Sequence, residues 1–551
     1  MCAKIPSMPD NPDISHDDSG PGEQVSGGPR PSTAGFLART SAILAGATML
    51  SRLLGLVRDM LMAHFYGAGG QTDSFAFAIV VPELLRTLII SGAVASVFIP
   101  LMTETQRSGK PEQARKLAGM MISFITLIAL VVVLLGEVFS NQLVGASQLL
   151  RHTSEALDPE KAELTAELIR ILLPIVLFVG LWGLMGGILN ALDNFHVPGL
   201  APLAWNGTII VILIVFGKQE IIQHLAWAYV IGHGIQVLVH IPALIKEGIL
   251  PVAIDWKHPM LRKFLILAPA ALLAYAAPAV NAFIGQGIAL NMEESAASSL
   301  MYAFRVQQLP MSVFGVSVAV AIFPTLSRYS SSGSGGQVVR TLASGLRMTT
   351  LAVLPAVVFF LILNRECIEL IYQRGKFDAG DTINVSTALF WYSWAILPAS
   401  LLLLTARTFF SGKDTRTPAL LGIVTIIVFY ILAVLLTGRF GFQGLPISNS
   451  IVAWIFLIVS IFIIYKRYVN DESLLKCIGL KSPLQMLTAG IIEAGVLLIY
   501  SNLVGEIHGA GPLVIYIIGG MILGAGVYLG FLKMVGNPDL GNTIGKLFRR
   551  S

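Results

Sequence analysis

The sequence predicts an all-α polytopic membrane protein with about fourteen transmembrane helices, arranged as two six-helix lobes plus two C-terminal helices. Composition is the first reason. The 551 residues are 55% hydrophobic and 13% charged, with a mean hydropathy of +0.75, whereas soluble domains are about 25% charged. The second reason is internal repetition, since segments of the first half of the chain recur in the second half.

Apolar windows of about 20 residues, the length that crosses about 30 Å of hydrocarbon, can be placed fourteen times. The predicted inner loops and C-terminal tail contain twenty Lys and Arg residues, against seven in the predicted outer loops. Because Lys and Arg concentrate in cytoplasmic loops, both termini are predicted to lie in the cytoplasm. The windows lie near residues 40–65, 73–103, 116–140, 165–190, 200–217, 221–245, 262–287, 296–326, 340–364, 383–410, 417–437, 443–466, 483–505 and 511–535.

Two pairs of segments define the repeat. SGAVASVFIP from Ser91 resembles SVFGVSVAVAIFP from Ser312, and LDNFHVPGLAP from Leu192 resembles GKDTRTPALLG from Gly412, both at an offset of about 220 residues. Each copy contains six predicted spans, an even number, so the copies share one orientation, as in transporters that rock around a central site. A helical scaffold without a translocation role is the alternative. The predicted boundaries are a disordered cytoplasmic tail at 1–36, an N-lobe at 37–247, a C-lobe at 248–470, and the last two helices with a cytoplasmic C-terminus at 471–551.

The stretch 51–100 is apolar enough to span the membrane twice, yet it is rich in charge. Each charge at bilayer depth costs about 2.5–3.5 kcal/mol, so such residues normally face a water-filled or protein-lined interior. A rise of 1.5 Å per residue from the glycine-rich turn at 67–70 places two arginines roughly 25 Å deep and the other charges closer to the outer surface. The two deep residues are Arg52 and Arg86, and the shallower ones are Arg58, Asp59 and Asp73.

A cationic cavity is therefore the first functional hypothesis. Glu83 and Arg86 are spaced i, i+3 and can pair with each other, so buried ion pairs are the structural alternative. Arg305 is the corresponding cation of the second lobe and is expected to complete the site of Arg52 and Arg86 from the opposite side; Gln308 follows it. Arginine offers a planar, bidentate fork that suits phosphate, although a carboxylate ligand or a purely structural role stays open. Glu493, in the thirteenth span, either contacts substrate or forms a hydrogen bond to a neighbouring helix.

Several classes of function are disfavoured. The three cysteines, Cys2, Cys367 and Cys477, are far apart and provide neither a disulfide framework nor a zinc site. The sequence lacks a Walker motif, HExxH, GxSxG and an acidic metal cluster, so neither ATP hydrolysis nor a bound cofactor or metal is predicted. The basic residues are spread among loops, so membrane topology explains them better than nucleic-acid binding does.

Seven motifs resemble those of one known family. SRLLGLVRD, GAGGQTDSFAFA, VPELLR, VFIP, GGILNALDNFHVPGLAP, YQRGKF and SGKDTRTPA, in this order and spacing, are similar to the MurJ (MviN) lipid II flippases of the MOP exporter superfamily. The resemblance covers about residues 38–535. It implies a fourteen-helix protein of the bacterial inner membrane, with two six-helix lobes and a groove for the undecaprenyl tail formed by the last two helices.

The same resemblance implies the transport of lipid II, the peptidoglycan precursor, from the cytoplasmic to the periplasmic leaflet by alternating access. It implies a substrate-binding role for the arginines at 52, 58, 86 and 305 and for Asp73, with Asp59, Glu83, Gln308 and Glu493 as secondary candidates. The expected partners are lipid II, membrane lipids and other cell-wall synthesis proteins. The energy source is left open between a coupling ion and the membrane potential. A sodium site is not evident, because Phe410 stands four residues before Asp414, at a position where an amide or carboxylate would serve better as a ligand.

Two alternatives to this function stay open. One is an exporter of the same fold for another polyprenyl-linked glycan or for drugs, although many drugs are cations and would not need several cavity arginines. The other is a membrane glycosyltransferase, which would need an exposed catalytic acid. The longest predicted outer segment, about residues 141–164, contains acidic residues without an obvious site.

Overall fold

The computed structural model describes residues 33–87, 98–151, 157–252, 254–468, 479–505 and 509–541, and these ranges contain helices and no strands. A helix satisfies all of its backbone hydrogen bonds within one segment, which the hydrocarbon core of a bilayer requires. The first half of the chain forms α1 (Thr33–Tyr66), α2 (Gly70–Ala78), α3 (Val80–Arg86), α4 (Ile99–Arg107), α5 (Pro111–Val138), α6 (Ser140–Arg151), α7 (Pro159–Leu172), α8 (Ile175–Ala191), α9 (His196–Phe216), α10 (Ile222–Leu238) and α11 (Ile241–Lys246).

The second half follows the same pattern and ends in a helical hairpin. Its helices are α12 (Pro259–Leu290), α13 (Ala296–Pro310), α14 (Val316–Ser331), α15 (Gly335–Ile362), α16 (Asn364–Tyr372), α17 (Ala379–Ser411), α18 (Arg416–Phe440), α19 (Gly444–Tyr468), α20 (Lys481–Val504) and α21 (Ala510–Met534).

The protein is an integral membrane protein. Among the described residues, ten helical stretches are long and apolar enough to cross a bilayer, and one of them, Arg416–Tyr468, contains both α18 and α19. Large apolar side chains face outward along these helices, including Leu503 and Ile515 on the last two. The all-α membrane fold is confirmed, whereas the total of fourteen spans stays a prediction.

Several boundaries differ from those predicted. α1 begins at Thr33, inside the predicted tail, and the remainder of that tail lies outside the described residues. The predicted second span is interrupted at Ile79, between α2 and α3. Proline explains two further breaks, since Pro174 separates α7 from α8 and Pro310 immediately precedes a π-helical turn at Met311–Gly315. A proline ring removes a backbone donor and clashes with the preceding turn.

The predicted duplication is visible in the backbone. Asp193 follows α8 in the left-handed conformation, with φ of 60°, and Lys413 follows α17 with φ of 55°. Each turn is closed by the next residue, because Asn194 donates to the Leu189 carbonyl at 2.9 Å and Asp414 donates to the Phe409 carbonyl at 3.0 Å. Residues other than glycine rarely adopt the left-handed backbone conformation, so its occurrence at two matching positions supports the repeat. The exact lobe boundaries stay predictions.

The apolar core is divided among several clusters. The largest joins helices of both halves and includes Phe75, Phe77 and Tyr302. A second cluster is centred in the first half around Met121 and Leu184, and Leu261 and Phe264 of α12 also belong to it. A third joins α15, α17 and α19 to the last two helices through buried residues such as Met486 and Tyr528. The α20–α21 hairpin is therefore packed on the second half of the chain.

Glycine permits a close backbone contact between the two halves at the outer end, which we define as the end containing the Gly67 turn. Gly375 has φ of +63°, and a Cβ atom there would lie 2.3 Å from the His64 carbonyl oxygen. The neighbouring Lys376 amide donates to the same carbonyl at 2.9 Å. The glycine in the YQRGKF motif thus allows the segment after α16 to lie directly against the end of α1.

Replacement of Gly375 by alanine is predicted to destabilise this contact. The new methyl group would meet backbone, and overpacking of this kind costs about 1–3 kcal/mol, in addition to the strain of a positive φ. Thermal unfolding of the purified variants should show a clear loss of stability for Gly375→Ala. Gly109→Ala is the matched control, because Gly109 also has a positive φ, of +75°, but nothing lies within 4 Å of its Cβ position. Equal losses in both variants would contradict the crowding argument.

Candidate functional site

Arg58 of α1 is a buried charge with many contacts, and it is 3% exposed. Its Nε and Nη2 atoms donate to Asp59 Oδ1 at 3.0 and 2.8 Å, and its Nη1 atom donates to Asn206 Oδ1 at 3.0 Å. The guanidinium carbon also lies 4.7 Å from the centre of the Trp205 ring and 5.5 Å from that of Tyr229. Charge-assisted hydrogen bonds and cation–π contacts compensate for the water that this arginine has lost.

The same Asp59 carboxylate faces a second arginine from the other half of the chain. Arg305 of α13 places its Nη1 atom 3.7 Å from Asp59 Oδ2, and its Nη2 atom is 3.5 Å from the Tyr229 hydroxyl. The Arg305 Nε atom is buried and has no hydrogen-bond partner among the described residues, although 27% of the side chain is exposed. Asp59 therefore lies between two guanidinium groups, one from each half.

This arrangement places Arg305 at a different level from the one the sequence predicts. We expected Arg305 to complete a deep site with Arg52 and Arg86, but it lies beside Arg58 and Asp59. The reason is its position along α13, about 13 Å from the outer end of that helix at 1.5 Å per residue, a depth similar to that of Arg58 in α1. The outer group of charges is therefore the one to which both halves contribute.

The two deeper arginines have different surroundings. Arg52 is half-buried, and its side chain forms no hydrogen bond or ion pair within the described ranges. Arg86 is paired with Glu83, and its Nε atom donates to Glu83 Oε2 at 2.9 Å. The predicted i, i+3 pair is therefore confirmed. The Glu83 side chain is 55% exposed, so this pair contributes little to stability.

Asp73 of α2 is fully buried and holds the other half of the chain. Its two carboxylate oxygens accept hydrogen bonds from the backbone amides of Ser295 and Ser298, at 2.9 and 2.8 Å, and from the Ser298 hydroxyl at 2.7 Å. Lys161 lies 3.4 Å away. These amides belong to the start of α13, where backbone N–H groups lack intrahelical partners and the helix dipole favours a negative charge. Asp73 thus joins α2 to α13.

Further polar contacts reinforce the outer end. The Tyr302 hydroxyl donates to the Gly67 carbonyl at 3.0 Å, and the Gly70 amide donates to Glu294 Oε1 at 2.9 Å. We refer to Asp73, Ser295, Ser298, Tyr302 and the Gly67 carbonyl as the outer clamp. Each bond of the outer clamp joins one half of the chain to the other, so the two halves are held together at the outer end.

The remaining secondary candidates lie apart from this cluster. Gln308 is exposed on α13, and its side chain forms no hydrogen bond with any residue that the structure describes. Phe304, on the same helix, packs edge-on against Tyr392, with ring centres 5.8 Å apart. Glu493 is 1% exposed and faces α21, far from the arginines in the chain and in the packing.

Sequence reasoning missed the residues that surround Arg58, namely Trp205, Asn206 and Tyr229. The signal was a polar amide within the apolar helix α9, because buried polar groups in spans normally have a partner. His233 belongs to the same group, since its ring stacks on Trp205 at 4.8 Å and its Nδ1 atom lies 3.0 Å from Gln236 Oε1. A prediction of partners required knowing which faces of α1, α9 and α10 meet.

Asp414 caps a helix in the described structure. Its carboxylate accepts hydrogen bonds from the amides of Arg416 and Thr417, each at 3.0 Å, and forms an ion pair with Arg467. Burial raises the pKa of Asp414, but the hydrogen bonds to Thr417 and the charge of Arg467 outweigh it and hold the pKa below its ordinary value. Within the described ranges, no group of three or more His, Cys, Asp and Glu residues is placed to hold a metal ion.

The helices and the duplicated halves, with buried arginines between them, form a fold that is also found in the MOP superfamily. The inward-facing conformation of a multidrug resistance MATE family transporter of that superfamily shares this fold, with a TM-score of 0.65 at 14% identity over 76% of this chain and 94% of the other.

The family model described as Lipid II flippase MurJ matches residues 62–518, so the chain belongs to the MurJ family of lipid II flippases. A probable lipid II flippase MurJ from Vibrio cholerae is 30% identical over 431 residues, which cover 76% of this chain and 81% of the relative. The solved structure of a lipid II flippase MurJ in an inward closed conformation has a TM-score of 0.73 and 25% identity, covering 90% of this chain and 98% of the other.

Removal of the shared carboxylate is predicted to be costly. Asp59→Asn would leave Arg58 and Arg305 without their common counter-charge, and removal of one partner from a buried ion pair destabilises by about 3–5 kcal/mol. Thermal unfolding of the purified protein measures the loss. Glu83→Gln is the control, because it breaks an exposed pair whose loss is expected to stay below about 1 kcal/mol. If Asp59→Asn loses no more stability than the control, Asp59 is not needed as the counter-charge of the two arginines.

The outer clamp gives a graded prediction. Ser298→Ala removes one of the hydrogen bonds to Asp73, at an expected cost of about 1.5–3 kcal/mol for a bond to a charged group, but the Ser298 backbone amide remains. Asp73→Asn removes the charge and should therefore cost more. A cysteine introduced at Ala303, which is fully buried beside the clamp, reports opening through its rate of labelling from the outer side. Labelling should be slowest in wild type, faster in Ser298→Ala and fastest in Asp73→Asn. The reverse order would show that these bonds do not hold the outer end closed.

Proposed function

We propose that the protein is a flippase that moves lipid II from the cytoplasmic to the periplasmic leaflet, with the diphosphate of the substrate held between its two halves. The observation that carries this proposal is the convergence of Arg58 and Arg305, from opposite halves, on one carboxylate. A diphosphate has the charge and the oxygen geometry to take the place of that carboxylate, because guanidinium groups bind both in a bidentate manner.

Arg52 and Arg86 would provide the first contacts for an anionic substrate that enters from the inner side. Arg52 has no bonded partner among the described residues, and Arg86 is neutralised by a half-exposed glutamate on its own helix. Arg52 can therefore turn towards an incoming phosphate at little cost in existing bonds, whereas Arg86 would exchange the Glu83 carboxylate for the phosphate. The substrate would then pass from these residues to the level of Arg58 and Arg305.

Alternating access requires that the outer end open once the substrate has reached the arginines. In the described conformation the outer clamp holds α2 against α13, so release towards the periplasm would require that Asp73 lose the amides of Ser295 and Ser298. A substrate that displaces Asp59 from Arg305 would weaken the second connection between α1 and α13. Binding at the arginines and opening of the outer clamp would then be coupled through α13.

The proposal includes the setting of the protein. We place it in the bacterial inner membrane with both termini in the cytoplasm, acting as a transporter without chemical catalysis and alongside other cell-wall synthesis proteins. Its energy source would be the membrane potential or a coupling ion, since one charge that crosses the field gains about 2.3 kcal/mol per 100 mV. The last two helices would form the groove for the polyprenyl tail.

Loss of the arginines is predicted to abolish transport. In cells depleted of the native protein, Arg52→Ala, Arg86→Ala and Arg305→Ala should each fail to restore growth, and lipid II should accumulate in the inner leaflet. Arg439→Ala is the control, because Arg439 lies at the end of α18 outside the cavity. Growth at the wild-type rate with normally expressed Arg52→Ala and Arg86→Ala proteins would refute the entry pathway, and growth with Arg305→Ala would refute the diphosphate site.

The likeness to a multidrug transporter supports one competing substrate class, since the fold is shared. Native mass spectrometry of the purified protein with lipid II and cationic drugs in competition separates the two. Retention of lipid II in wild type and its loss in Arg305→Ala supports the proposal, whereas preferential retention of a cation refutes it. Recovery of chemically unchanged lipid II after incubation would argue against a glycosyltransferase.

A further inference from the structure

A buried acid lies away from the arginines, in the hairpin formed by α20 and α21. Glu493 is at the middle of α20, about 18 Å from its inner end at 1.5 Å per residue, and is 1% exposed. Its side chain points at α21, where a Cβ atom added to Gly524 would lie 3.0 Å from Glu493 Oε1. The glycine therefore allows the two helices to close over the carboxyl group.

Several apolar side chains surround this acid. On α15, Leu354 and Val358 face α20 one turn below, and Leu497 lies one turn above on α20 itself. On α21, Tyr528 follows Gly524 by about one turn, and it is 0% exposed. Among the described residues, no Lys, Arg or His acts on the Glu493 carboxyl group.

Two buried polar atoms in the middle of this hairpin have no hydrogen-bond partners. Neither Glu493 Oε2 nor the Tyr528 hydroxyl has a hydrogen-bond partner among the described residues, and both are inaccessible to solvent. An isolated carboxylate in such a place is so costly that the group normally neutralises itself by taking a proton. A protonated carboxyl group and a phenol can then form a hydrogen bond, because each has both a donor and an acceptor.

We propose that Glu493 is a proton-binding site, and that the bound proton, shared in a hydrogen bond with Tyr528, holds α20 and α21 together against α15. The ligand is the proton itself. The site is separate from the arginine cluster and does not depend on which substrate the protein moves. Release of the proton would leave an uncompensated charge inside the hairpin, and separation of the helices to admit water would relieve it.

The inner end of the hairpin is held in a different way, which isolates the effect of the proton. Asp539, after α21, accepts hydrogen bonds from Arg347 Nε at 3.0 Å and from the Ser482 hydroxyl at 2.5 Å, and Asn537 donates to Ser482 Oγ at 3.0 Å. In this anchor the Asp539 carboxylate is paired with the Arg347 guanidinium group, and Glu493 is not involved. At the outer end, Tyr500 and Tyr516 stack with ring centres 4.8 Å apart. Loss of the proton would therefore loosen the middle of the hairpin between two fixed ends.

Infrared difference spectroscopy of the full-length protein in lipid nanodiscs tests the proposal directly. At neutral pH, wild type should show the C=O band of a protonated carboxyl group that is lost in Glu493→Gln. Tyr528→Phe should keep the band but shift it to the frequency of a carboxyl group without that hydrogen bond. The absence of a protonated band that depends on residue 493 would overturn the proposal, and an unshifted band in Tyr528→Phe would overturn the role of the tyrosine.

A second measurement links the proton to packing. The thermal midpoint of wild type should fall as the pH rises, because a buried neutral acid stabilises the fold until it ionises. Glu493→Gln is neutral at every pH and should lose this dependence, and Glu112→Gln, at an exposed position on α5, should behave as wild type. An equal pH dependence in wild type and Glu493→Gln would overturn the link to packing. If Glu493→Gln cannot be purified, a reduced pH dependence in Tyr528→Phe supports the link and an unchanged one overturns it.

Discussion

The position of one carboxylate between two guanidinium groups determines how the two halves of this protein meet. Asp59 is bonded to Arg58 on its own helix and lies 3.7 Å from Arg305 of the opposite half. In hydrocarbon a charge without a partner is strongly disfavoured, so α1 and α13 cannot separate at this level unless another anion replaces Asp59 or water enters. The contact between the halves is thus conditional on the charge balance inside the cavity.

The outer clamp applies the same constraint to backbone groups. The first N–H groups of a helix have no partners within it, and the start of α13 is buried against α2, where water cannot satisfy them. Asp73 provides the acceptors. A side chain of one half therefore completes the secondary structure of the other half, which makes the closed outer end a single unit of polar contacts.

The sequence was sufficient to predict much of the architecture. Hydropathy predicted the helices, and the spacing of Glu83 and Arg86 predicted their pair. The repeat identified the two matching segments in which the related turns at Asp193 and Lys413 lie. Each of these features depends on residues that are close in the chain or on a pattern that is repeated along it. The helix breaks at Ile79 and at the π-helical turn after Pro310 show the limit even of local information, since composition alone does not determine where a helix bends.

The composition of the site was harder to predict than its existence. Distance along a helix gives the depth of a residue, and so it separated the deep arginines from the shallow ones. It does not give the rotation of one helix against another, and therefore the pairing of Arg305 with Asp59, the ring of Trp205 below Arg58 and the capping of α13 by Asp73 could not be derived. These contacts link residues more than 140 positions apart, as the bond between Arg58 and Asn206, with a separation of 148, illustrates.

The pairing also suggests why a cavity for an anion contains an acid. Without Asp59, Arg58 and Arg305 would be two like charges in a partly dehydrated space, and the cavity would be unstable before any substrate arrived. With Asp59 present, binding of a diphosphate exchanges one anion for another, so the desolvation of the arginines is largely complete beforehand. The affinity for the diphosphate is then lower than two unpaired arginines would give. The exchange also breaks the contact between Asp59 and Arg305, and loss of that contact allows α1 to separate from α13.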